Sequence, residues 1–145
     1  MDLFITDALF LPGSKPYSRY SGEQQNVIWG ELFVLDSLRF INLNPTIFRE
    51  NCAQDVTPEE ADLMAITQKP FHQSNFVAPS GPPAWKQLPT WYQISDSDRM
   101  IPPDVQHTFA ERMNATTLSV NASHASYVSY PTEIADFILN ATKGK

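Results

Sequence analysis

The sequence predicts an α/β fold with about three parallel strands, flanking helices and a helical insertion, and three stretches carry that expectation. Residues 2–11, DLFITDALFL, form an almost continuous apolar run closed by Pro12 and Gly13, the pattern of a strand buried on both faces. Residues 90–95, TWYQIS, are rich in β-favouring side chains. They lead through the loop DSDRMIPP, 96–103, to a helix whose Val105, Phe109 and Met113 form an i, i+4, i+8 stripe. Residues 116–120, TTLSV, alternate as a strand does, then pass through a loop holding His124 to a helix with Ile134, Phe137, Ile138 and Ala141 on one face. Strand, helix, strand, helix in that order implies parallel strands joined by right-handed crossovers.

The region from about 14 to 80 reads as a cap, with helices between about 20 and 75. Two helix starts are explicit. Asn44 followed by Pro45 is one, because proline at the first helical position surrenders an N–H that has no partner there anyway. Thr57, Pro58 and Glu60 are the other, a capping box. Three or four helices fit, and Trp29, Phe33, Leu35 and Phe40 make the cap apolar. Residues 79–89, PSGPPAWKQLP, hold four prolines and a glycine, too many for a regular element. They connect the cap to a carboxyl-terminal part at about 84–145, within one domain spanning 1–145.

Composition narrows the function classes. With 42% hydrophobic and 18% charged residues, the chain is globular rather than disordered. A net charge of −6 and the lack of any basic run argue against nucleic acid and against anionic lipid, leaving a small neutral or apolar ligand as the expected partner. No stretch approaches the roughly eighteen apolar residues of a membrane span, and Met1 is followed by an acid, so a cytoplasmic location is expected. Cys52 is the sole cysteine and falls in a helical pattern with Ile47 and Phe48, where it reads as a small buried hydrophobe rather than a nucleophile. The sequons at Asn114, Asn121 and Asn140 read as chance in such a chain.

In parallel α/β arrangements the loops at the carboxyl ends of the strands gather on one edge. Asp98 and His124 both sit on such loops, so the topology brings them together across the intervening helix. An acid that orients an imidazole, with the imidazole moving a proton, is the back half of a nucleophile–histidine–acid arrangement. The remaining histidines read otherwise. His107 lies opposite the apolar stripe of its helix and reads as solvated, and His72 reads as a local hydrogen bonder. No histidine, cysteine or carboxylate pair has metal-ligand spacing, and no cofactor is expected.

WYQISDSDRMIPP followed by an amphipathic helix, then VNASHASYVSYP and a terminal helix, resembles the carboxyl-terminal half of the α/β-hydrolase fold. The likeness is closest to the small esterase-like group related to plant methylesterases and hydroxynitrile lyases. AITQKPF and SGPPAWKQLPTWY also look like the end of that group's helical cap and the approach to its penultimate strand, so the resemblance covers nearly the whole chain. It implies that Asp98 is the triad acid, with Asp96 the competing candidate, and that His124 is the triad histidine. It also implies esterase-type hydrolysis of a small apolar ester, although lyases share the scaffold.

The family's nucleophile sits in a G-x-S-x-G elbow. The five glycines fall at 13, 22, 30, 81 and 144, no two of them four apart, so no such elbow exists in these residues. The resemblance therefore makes the chain a truncated hydrolase domain, inactive alone, that supplies acid and histidine but not the nucleophile. The alternative is a non-catalytic homologue serving as a binding or oligomerising module. Either way, the strand at 3–11 would lack its family neighbour, and its edge would pair with a second copy or with a complementing amino-terminal half.

Overall fold

The computed structural model describes residues 32–76, 78–79 and 81–144. Among them are five helices and two small sheets, a mixed α/β arrangement. In chain order the elements are β1 (Phe33–Leu35), β2 (Phe40–Leu43), α1 (Pro45–Cys52), α2 (Pro58–Ile66), β3 (Phe71–His72), β4 (Trp91–Ser95), α3 (Pro103–Arg112), β5 (Thr116–Val120), α4 (Ser126–Ser129) and α5 (Pro131–Thr142). Short 3₁₀ turns lie at Gln73–Phe76 and Ala84–Lys86.

Strands β4 and β5 pair in parallel, in register from Trp91 opposite Thr116 to Ser95 opposite Val120, with α3 as the crossover. Ile94 is 1% exposed and anchors this sheet. The pairing runs on past the strand ends, because Asp96 N–H donates to Val120 O at 2.9 Å and Ser97 N–H to Ala122 O at 3.1 Å. The two exit loops therefore leave side by side. Of the three expected parallel strands, this is the one pair among the described residues. The strand at 3–11, the edge attributed to it, and Trp29 lie outside them.

The region expected as a helical insertion is not purely helical. Between the carboxyl-terminal part and residue 32 lie not only α1 and α2 but an antiparallel sheet in the order β1-β2-β3, with Val34 opposite Asn42 and Ile41 opposite Phe71. The cause is the turn between β1 and β2. Asp36 Oδ1 accepts from the N–H groups of Leu38 and Phe40, both at 2.8 Å, and Arg39 takes a positive φ of 67°. An aspartate that bonds the backbone two residues on closes the turn locally, and the left-handed residue completes it. Leu35 and Phe40 accordingly are exposed side chains on strands, not part of a helical core.

Both helix starts are formed as their residues dictate. Asn44 Oδ1 accepts from Thr46 N–H at 3.1 Å ahead of Pro45. Thr57 Oγ1 accepts from Glu60 N–H while Glu60 Oε2 accepts from Thr57 N–H, each at 3.3 Å. Thr57→Ala should lower the unfolding free energy by about 1 kcal/mol, read as a reduced urea midpoint at constant slope.

Phe48, Cys52, Ala53, Val56, Ala61 and Ala65 form a core between α1 and α2, and Ala125 from the histidine loop belongs to the same cluster. Its alanines let the two helices approach closely. Helices α1 and α2 and the loop of His124 thus share one apolar contact surface, against which Met100 and Val128 also pack.

Candidate active site

The site is built where β4 and β5 end. Beyond Ser95 the chain turns at once, with Asp98 N–H donating to Ser95 O at 3.2 Å, and this brings the Asp98 side chain inward to 8% residue exposure. Its carboxylate is saturated. Oδ1 accepts from Met100 N–H at 2.7 Å and Ile101 N–H at 2.9 Å. Oδ2 accepts from Gln106 Nε2 and from His124 Nδ1, both at 2.9 Å.

A carboxylate only accepts, so the proton of the last bond resides on Nδ1, and the Nε2 atom of neutral His124 is left with its lone pair. The His124 side chain keeps 29% of its surface exposed while that of Asp98 keeps 4%. The ring is therefore held on its inner side and open on its outer one. Asp96 does not take part: its Oδ1 accepts from Ser119 Oγ at 2.7 Å on the exposed face.

Gln106, which sequence reasoning passed over, is the second partner of the acid. It is buried on α3, where Oε1 accepts from Ser95 N–H at 3.0 Å and Nε2 also donates to Ile101 O at 2.7 Å. The amide thereby ties the end of β4, the acid and the entry to α3 together. Its position beside Val105, on the inward face of the helix, was the available signal.

The histidine loop is also held from the end of α1 and the turn that follows it. Ala125 N–H donates to Cys52 O at 3.0 Å, and Asp55 Oδ2 accepts from both Ser123 N–H and Ser129 Oγ at 2.7 Å. Partial burial works to raise the Asp55 pKa, but the bonds from Ser123, Ser129 and its own backbone outweigh it and hold the carboxyl below its usual value. Nothing in the local sequence pairs residue 55 with residues so far along the chain.

Cys52 is buried, and that burial, with the charge of Asp98 adding to it, pushes its thiol from 9.0 up to about 11. The same two causes raise Tyr92 from 10.0 to about 12. A thiol so disfavoured as a thiolate is not a nucleophile at neutral pH. For an acid raised in the folded state, the contribution to stability is complete below the unfolded value and is lost as pH climbs toward the folded one. Cys52 alone should therefore cost roughly 2–3 kcal/mol between pH 9 and 11, a fall that Cys52→Ala should blunt in urea titrations across that window.

The other candidates stay apart from the pair. His72 Nδ1 lies 2.8 Å from Ser74 Oγ and accepts from Ser74 N–H at 3.3 Å, a local role, while His107 is exposed on α3. Among the described residues no three His, Cys, Asp or Glu side chains gather as a metal site, and no helix is long and apolar enough to cross a membrane. Leu43, Ile47, Phe48, Cys52 and Met100 line a shallow apolar dent with no enclosed room for a water molecule. No protein-family model matches the chain, and no curated protein matches it at a significant level.

Proposed function

We propose that this chain is the acid and histidine part of an esterase-type α/β-hydrolase, cleaving a small apolar ester by a Ser-His-Asp mechanism whose nucleophile comes from outside these residues. The observation that carries the reading is the bond from His124 Nδ1 to the buried, fully bonded carboxylate of Asp98. In that mechanism Asp98 fixes the ring and stabilises the imidazolium. His124 Nε2 takes the proton of the attacking hydroxyl and later returns it to the leaving alcohol.

The test is complementation. The purified chain alone should hydrolyse activated esters no faster than its His124→Ala variant. After assembly with an amino-terminal fragment of a small esterase of this group, carrying its G-x-S-x-G elbow, it should turn over ester, and His124→Ala should remove about 10³-fold or more of that rate. Turnover by the assembled pair that is indifferent to His124 would overturn the reading. So would His124-dependent labelling of a serine in the chain alone by a fluorophosphonate. One observation favours the second reading, a non-catalytic binding or oligomerising module: Val34, Leu35 and Leu38 expose an apolar hairpin. A dimer in light scattering that Leu38→Lys dissolves, with no turnover in any assembly, is its signature.

A further inference from the structure

We infer that Asp55 is a positioning residue for the acid–histidine pair, holding from the turn between α1 and α2 the main chain just before His124 and the Ser129 hydroxyl at the end of α4 beyond it. The inference rests on the reading of Asp98 and His124 as a proton-transfer pair. Its basis is the pattern of bonds. Ser123, immediately before the histidine, gives its N–H to Asp55 Oδ2, and Ala125, immediately after it, gives its N–H to Cys52 O. Ser129, at the end of α4, returns its hydroxyl to the same Asp55 oxygen. The backbone of His124 is thus pinned at both neighbours by one four-residue stretch of the cap.

That stretch reaches the acid loop as well. Gln54 Nε2 donates to Ser97 O at 2.6 Å, and Arg99 Nη1 donates to Glu50 O at 2.9 Å. Residues 50–55 therefore grip both loops, and the spacing of the acid and histidine is set by a third segment in addition to the β4–β5 ladder. Among the side chains of residues 50–55, that of Asp55 bonds the histidine loop, and its carboxyl is held below its usual value. Bonds to an ionised acceptor are short and strong, which suits a residue that fixes a ring to a fraction of an ångström. Its two donors lie 68 and 74 residues further along the chain, so it is no ordinary turn-forming aspartate, whose partners are local.

The readout is nitrogen NMR of the three histidines in the whole chain, which reports the tautomer and the bonding of each ring. Asp98→Asn, which removes the acceptor at Nδ1, should move the His124 signals away from the Nδ1–H form. If it leaves them unmoved, the acid–histidine reading itself fails. Asp55→Ala should move His124 in the same direction, toward an unconstrained imidazole, while His72 and His107 keep their shifts. Asp55→Asn, which retains an acceptor oxygen, should restore most of the parent position. Unmoved His124 signals in Asp55→Ala, beside moved ones in Asp98→Asn, would overturn the positioning role, as would equal movement of all three histidines, which marks general loosening. Should Asp55→Ala not fold, Ser129→Ala removes one of the two donors and should give a smaller shift of the same sign. No shift there would also overturn the inference.

Discussion

Asp98→Ala is expected to lower the unfolding free energy by about 3–5 kcal/mol, the loss from leaving more than one buried donor without its acceptor. Four donors meet its carboxylate: the Met100 and Ile101 N–H groups, Gln106 Nε2 and His124 Nδ1. Alanine leaves all four without that acceptor, at about 1–3 kcal/mol for each that is buried and finds no other partner. Gln106 is the most exposed to this loss in energetic terms, since it is buried and cannot rotate its amide without surrendering Ser95 N–H. Asp98→Asn should be milder. Its remaining oxygen can serve Met100 and Ile101, but its amide nitrogen then meets two donors, so His124 must change tautomer or turn away. Urea unfolding measures both variants. A loss below about 1 kcal/mol for Asp98→Ala would mean that water replaces the carboxylate and that the site is less closed than its geometry implies.

Phe48→Ala should cost about as much, roughly 3–5 kcal/mol, by a different route. Phe48 is 5% exposed at the centre of the cluster of Cys52, Ala53, Val56, Ala61, Ala65 and Ala125. Four of these are alanines with no side chain to swing into the gap, so the cavity persists and its cost adds to the lost transfer free energy. Because Ala125 is in that cluster, the loss should loosen the histidine loop and not only α1 and α2. Leu38→Ala, at a site 71% exposed on the hairpin turn, is the control and should change stability by less than about 0.5 kcal/mol. Thermal and urea melts of the pair give the comparison.

What could be read from the residues alone follows the range of the forces involved. The capping box at Thr57 and Glu60 is an i, i+3 relation, and the β4–α3–β5 crossover rests on the order of adjacent runs, so both are written locally. The approach of Asp98 to His124 follows from that crossover and needs no further information. The β1–β2 hairpin was hidden because its strands are three and four residues long, too short for a period to register. Its turn also lacks a flag: the left-handed position is Arg39, where glycine or asparagine would have announced it. Gln106 and Asp55 were missed for another reason. Each is a polar residue whose role is defined by partners brought to it by the finished fold.

The bonds that meet at the histidine loop join residues 26, 68 and 74 positions apart. Closing loops of that size loses chain entropy before any contact compensates it, so these links form late in folding, after the local helices and the hairpin. Because they form only when the whole unit assembles, they are expected to open with it and not by local fraying. The Ser123 amide, fully buried and bonded across 68 residues, should exchange its hydrogen for deuterium only through complete unfolding, whereas amides of the β1–β2 hairpin should exchange through local fraying. The exchange rate at this one position then reports the stability of the whole folded unit, and the residues that would perform proton transfer keep time with global, not local, motion.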